Sequence, residues 1–136
     1  MENNVEVNQQ HHSVIQNKSL YVSNFIFKRS PNISDNDLSF KLGTKKKYLG
    51  NSEAEISLNC TLSNENKDFE LFVEITGVFS VVGDTNVNDN IINYEKNILA
   101  IIFPFLRSQI AVLTSQPDFT PIVLPVININ ALEFDE

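Results

Sequence analysis

Apolar and polar side chains alternate in three stretches of the chain: Leu38, Phe40 and Leu42; then Ile56, Leu58, Cys60 and Leu62; then Phe69, Leu71, Val73 and Ile75. A period of two is the signature of a half-buried strand, so each stretch is predicted as one strand with an apolar and a polar face. The segment bounded by Gly43 and Gly50 joins the first two strands as a hairpin, and its basic run, Lys45, Lys46 and Lys47, is expected at a solvated tip. Polar residues 63–68 make the next turn. Upstream, residues 14–27 are rich in Val, Ile, Leu, Tyr and Phe, with Phe25 and Phe27 alternating about Ile26, which predicts a long first strand. Residues 28–37 are polar, contain Pro31 and are too long for a tight turn, so they carry the chain across to another part of the sheet.

The periodicity changes after Gly83. A polar loop leads into residues 94–116, where Leu99, Phe103, Leu106, Ile110 and Leu113 recur at spacings of four and three. Ile98, Ile102, Phe105 and Val112 form an adjacent stripe, so a long helix is predicted whose apolar arc is wider than one sheet can cover. The first stripe, Leu99, Phe103, Leu106, Ile110 and Leu113, is therefore assigned to contact with a second copy of the chain. Pro104 lies inside the pattern and predicts a kink. Pro117, Pro121 and Pro125 then hold an apolar stretch, Phe119, Ile122, Val123 and Leu124, out of helix. Asn128 or Asn130 could cap a short second helix near the end. The fold class expected is α+β: a four-stranded antiparallel sheet followed by a long kinked helix.

Size and composition narrow the reading. A chain of 136 residues with 42% apolar side chains makes one domain, residues 14–136, preceded by a polar, mobile arm over 1–13. A net charge of −7 and the lack of a basic stripe with interleaved aromatics argue against a nucleic-acid partner. The N-terminus has no signal-peptide pattern and no apolar run approaches ~18 residues, so no membrane insertion is expected and a cytoplasmic location fits. The lone cysteine, Cys60, cannot form an internal disulfide and falls at a buried strand position.

Candidate chemistry is sparse. His11 and His12 stand in the polar arm without an acidic or thiol partner, and no metal site is expected there. Asp84-x-Asn86-x-Asn88 with Glu95 at the twelfth place imitates a calcium loop, but Asp89 occupies the sixth place, where the sharp turn calls for Gly. The folded part has no histidine, no nucleophile motif and no carboxylate pair among apolar residues, so neither catalysis nor a cofactor is expected.

The run NILAIIFPFLRSQIAVLTSQPDFTPIVLPVININAL, residues 97–132, resembles the helix and following loop of the SecB protein-export family: an N-I-L, an F-P-aromatic, an Arg and a proline-rich apolar loop ending in P-V-N-x-x-A-L. Gly77 to Gly83, GVFSVVG, is similar to that family's glycine-bounded end of the fourth strand, and the likeness extends over residues 14–132. It implies a homotetramer, a dimer of dimers with helices layered between sheets, that holds unfolded polypeptides in an outer groove without ATP. By position, the groove would comprise Ile33, Leu38, Phe40, Leu42, Phe119, Pro121, Ile122 and Leu124. The family docks on a translocase motor through acidic side chains, whereas the matching positions here, near Asn24, Lys28 and Phe72, are not acidic. A stand-alone chaperone with another client, such as the antitoxin of a toxin–antitoxin system, is the alternative, and a purely structural oligomeric scaffold is a third reading.

Overall fold

A computed structural model describes residues 14–33, 37–83, 90–125 and 127–128. The polar arm over 1–13, the calcium-like positions 84–89 and the second helix expected near the end lie outside the described residues. The alternating stretches form β1 (Val14–Arg29), β2 (Leu38–Tyr48), β3 (Glu53–Asn64) and β4 (Phe69–Val82), followed by a 3-10 turn, Ile91–Tyr94, and helix α1, Glu95–Leu113. All neighbours pair antiparallel in the order β1-β4-β3-β2. Consecutive strands β1 and β2 therefore occupy opposite edges, and the segment between them is the crossover that its length and polarity predict.

Strand register divides the sheet into two faces. Leu58 stands opposite Ile75, Cys60 opposite Val73 and Leu62 opposite Leu71, and directly opposed residues share a face. These side chains are buried, covered by α1 through Ile98, Leu99, Ile102, Phe103, Leu106 and Ile110. At ~25 cal/mol per Å² of apolar surface removed from water, this layer is the main stabilising term. Gly77 is required in it: a Cβ there would lie 2.7 Å from the ring of Phe79 and 2.8 Å from the Ser19 carbonyl, so only glycine lets that fully buried ring cross beside β1.

The outer face carries a hydrogen-bonded chain across three strands. Ser57 and Thr76 hydroxyls lie 2.7 Å apart, Thr76 donates to Ser23 at 2.7 Å, and Ser23 donates to Glu74 Oε1 at 2.8 Å. Lys45 reaches Glu74 Oε2 at 3.3 Å, an ion-pair distance without hydrogen-bond alignment. Ser23 sits at a register shift of β1 between Val22 and Asn24, where the extra residue lets its side chain join the chain.

Two expectations need correction. Lys45, Lys46 and Lys47 are not the hairpin tip: they lie inside β2, opposite Ser57, Ile56 and Glu55, and the turn is made by residues 49–52 with Gly50 at φ 118°. Lys46 shares the inner face, its side chain four-fifths buried and paired with Glu95 at 3.1 Å. The stripe assigned to a second copy is also misplaced. Leu99, Phe103, Leu106 and Ile110 are buried against the chain's own sheet, and Leu113 is partly buried. The apolar side chains that α1 exposes are Ile101, Phe105 and Val112. The sheet takes most of the first stripe together with Ile98 and Ile102 of the second and leaves Phe105 and Val112 outside, a division that the spacing does not mark.

The helical stretch Ile91–Leu113 reaches a mean hydropathy of 1.4 over a span-length window, enough by composition to cross a bilayer. One side of it, Ile91, Ile98, Leu99, Ile102, Phe103, Leu106 and Ile110, forms the second layer of the core, while Ile92, Ile101, Phe105 and Val112 are exposed. The helix runs unbroken through Pro104.

Candidate functional site

α1 lies over the central strands and leaves apolar side chains of both edge strands uncovered on the same face: Val22 and Phe25 on β1, Leu38 and Phe40 on β2. At the β2 edge the chain builds a cleft of about 500 Å³. One wall is the end of the crossover with the start of β2, Ile33 and Leu38; the other is the loop after α1, through Phe119, Pro121 and Ile122. Phe69 lines it as well, and Asp118, Thr120 and Val123 complete the loop side. A cleft of this size, walled by apolar side chains but with nearly as much polar as apolar surface from its loop, can take a peptide segment, its side chain against the apolar walls and its main chain beside the polar groups.

The loop wall is held from three directions. Thr114, fully buried at the C-cap of α1, donates its hydroxyl to the Ile110 carbonyl at 2.7 Å and accepts the Ile122 N–H at 2.8 Å. Arg107 donates Nε to the Leu124 carbonyl at 2.8 Å. Arg29, the last residue of β1, donates to the Asp118 carbonyl at 2.8 Å, to Ser30 at 3.0 Å and to Pro31 at 3.2 Å. Its guanidinium also lies 5.5 Å from the centre of the Phe119 ring, a cation–π distance. Phe119 is itself gripped edge-on by Phe27 at 5.4 Å and Phe69 at 5.2 Å. Three prolines remove backbone donors from this loop, and these side-chain bonds supply fixed partners for the carbonyls and amides that remain.

Of the eight groove residues expected from sequence, the cleft brings together Ile33, Leu38, Phe119, Pro121 and Ile122. Phe40 and Leu42 follow Leu38 along the same face of β2 but outside the cleft, Phe40 exposed and Leu42 partly buried. Leu124 is core, 2% exposed, and offers no surface. Sequence reasoning missed Arg29, Arg107 and Thr114. The F-P-aromatic and Arg of the helix were visible as a motif, but nothing in the spacing told that Arg107 would reach a carbonyl 17 residues later.

The reactive inventory of the described residues is short. Cys60 is fully buried opposite Leu42, and burial pushes its thiol up to about 12, against a smaller opposing effect of a backbone hydrogen bond with Lys41. It is a packing residue, not a nucleophile. No group of three metal-ligating side chains occurs among the described residues.

Comparison with known proteins gives one family. The sequence profile described as preprotein translocase subunit SecB matches residues 8–135. A protein-export protein SecB of Actinobacillus succinogenes is 30% identical, over 88% of this chain and 78% of its own length. An uncharacterised protein of Methanocaldococcus jannaschii is also 30% identical, over 70% of this chain and 64% of its own length. Among solved structures, a SecB-like chaperone of Mycobacterium tuberculosis, in complex with a ChAD peptide from an antitoxin, superposes with a TM-score of 0.64 at 16% identity, covering 83% of this chain and 87% of that one. At that identity the likeness is one of fold.

Proposed function

Because the chain belongs to the SecB family, we propose that it is an ATP-independent holdase that binds unfolded polypeptides at the cleft beside β2 and catalyses no reaction. The observation that carries this reading is the cleft itself: an open concavity walled by Ile33, Leu38, Phe69, Phe119 and Pro121, with Leu38 and Phe40 each more than 40% exposed on β2. Burial of apolar surface is non-directional, so a groove of this kind holds many sequences without selecting one. A folded protein has already buried the side chains that it would take up, which leaves unfolded chains as its clients.

The working assembly in this reading is a cytoplasmic homotetramer, a dimer of dimers. The uncovered apolar side chains supply the contacts: Val22 and Phe25 on β1, whose outer edge has no partner strand among the described residues, and Ile101, Phe105 and Val112 on α1. An edge strand of 16 residues with exposed apolar side chains is a surface that proteins ordinarily cover.

Two client classes remain open to the same cleft. Export precursors are favoured by the family. A dedicated client such as an antitoxin is favoured by the Mycobacterium tuberculosis relative in fold and by the positions matching the family's acidic docking surface, which hold Asn24, Lys28 and Phe72 on the outer face of the sheet. The discriminating experiment is calorimetric titration of an unfolded, reduced and carboxymethylated protein into this chain, without nucleotide, with the folded protein as control. Binding of the unfolded form alone supports the holdase; binding of neither moves the function to a dedicated partner.

A further inference from the structure

Helix α1 ends at Leu113, and past its end the inner face of the sheet is covered by the following loop through Phe119. Arg29 stands opposite Phe69, and Phe27 opposite Leu71, so Arg29, Phe69 and Phe27 lie on one face of β1 and β4 as three sides of a seat. Phe119 fills it. The Phe27 and Phe69 rings meet it edge-on at 5.4 and 5.2 Å, and the Arg29 guanidinium lies 5.5 Å from its centre. Phe69 and Phe119 also line the cleft, so the seat and the cleft adjoin.

The turn that carries Phe119 is built as a unit. Pro117 fixes one φ, Asp118 stands at φ 57°, and the Phe119 N–H donates to the Gln116 carbonyl at 3.2 Å, the pattern of a type II turn. Left-handed backbone at a residue other than glycine carries strain. The base of the turn is pinned separately from its tip, because Thr114 both caps α1 and accepts the Ile122 N–H. Among the described residues, the tip, residues 117–121, is tied to the sheet by one hydrogen bond, from Arg29 to the Asp118 carbonyl, and by the Phe119 ring. Two ring edges and a guanidinium accept any aromatic ring of similar size, and the advantage of Phe119 over a competitor is its tether.

On the reading of the cleft as a client site, we infer that residues 117–121 are a flap and that Phe119 is a built-in stand-in for an aromatic side chain of the client. With the flap closed, Phe119 keeps Phe69 and Phe27 covered. When the flap opens, the turn leaves as a unit, Thr114 holds its base, and the client's ring takes the seat between Phe27, Phe69 and Arg29. The cleft then extends from the Leu38 wall to the end of β1. A tethered occupant lowers the apparent affinity for the client by the fraction of molecules whose flap is open.

The test mixes the full chain, in a stopped-flow instrument, with a fluorescent, unstructured 12-residue peptide that carries one phenylalanine. With the native chain the observed rate constant is expected to level off as peptide concentration rises, because opening precedes binding. Phe119→Ala removes the stand-in, so its rate constant rises without a plateau and the peptide binds about tenfold more tightly, as a flap closed about ten to one requires. Arg29→Met loses the bond to Asp118 and raises the plateau about fivefold. Phe119→Leu keeps an apolar side chain in the seat, guards against loss of structure, and shifts affinity in the same direction by less. If Phe119→Ala and Phe119→Leu bind the peptide more weakly than the native chain, Phe119 is a fixed wall; if the native rate constant stays linear in peptide, there is no gate. Either result overturns the flap and leaves the client cleft standing. If neither the native chain nor any variant binds the peptide, the client cleft falls with it.

Discussion

The guanidinium of Arg29 donates to the main-chain carbonyl of Asp118 at 2.8 Å, joining the end of the first strand to the tip of the loop 89 residues later. With its bonds to Ser30 and Pro31, it clamps the two walls of the cleft at one end.

Arg29→Met keeps the aliphatic stem but loses the fork, and Arg29→Lys keeps the charge without the planar geometry. Both are expected to lower stability by about 1 kcal/mol. Hydrogen exchange should quicken at the Phe119 amide, which donates to the Gln116 carbonyl across the turn, in both variants. Unchanged exchange there would mean that the aromatic cluster alone holds the loop.

Thr114→Val removes the acceptor of the Ile122 N–H in a fully buried place and is expected to cost about 1–3 kcal/mol. Thr114→Ser keeps the hydroxyl and should recover most of that loss. Denaturant midpoints of the two variants measure the difference.

Leu106 and Phe105 are adjacent in sequence and opposite in exposure, 0% against 50%. Leu106→Asp buries an unpaired carboxylate under the sheet and is expected to prevent folding. Phe105→Asp should leave the circular dichroism spectrum native while reducing the assembled mass in light scattering. Native mass in Phe105→Asp would remove that side of the helix from the interface.

The Cys60 thiol is held neutral by burial, its value raised from 9.0 to about 12. An acid whose pKa rises on folding binds its proton more tightly in the native state, so its contribution to stability is present below pH 9 and falls as pH rises from 9 towards 12. At pH 8 the native thiol should resist an aromatic disulfide reagent, and the unfolded chain should release one equivalent. Fast reaction in the native protein would place Cys60 at an accessible surface.

How far the sequence could be read depends on the kind of interaction. Period-two alternation in β2, β3 and β4 and the polar crossover are local signals, sufficient for four antiparallel strands and a long connection after the first, while the order β1-β4-β3-β2 is seen only in the sheet. The clustering of Leu38 with Phe119 and Ile122 was reachable through the family's resemblance rather than through spacing. Orientation of α1 was not legible, since the buried arc runs across both apolar stripes, taking Leu106 and Ile102 and leaving Phe105 and Val112 out, and only the packed sheet decides where it ends. The burial of Lys46 was hidden for a related reason: three consecutive lysines look like a solvated tip until strand register places one of them inward beside Glu95. Arg29, Arg107 and Thr114 act on carbonyls and amides, which leave no trace in side-chain pattern.

The central claim is that the cleft at Leu38 holds unfolded chains. It is tested most directly by following the refolding of a slow-folding, unrelated protein at stoichiometric ratio and without nucleotide, beside this chain and beside Leu38→Asp. Leu38 lines the cleft at 45% exposure, so its replacement should leave fold and assembled mass intact. The native chain is expected to arrest refolding, and Leu38→Asp, at the same mass, to release it. Equal arrest by both, or none by the native chain, would contradict the account.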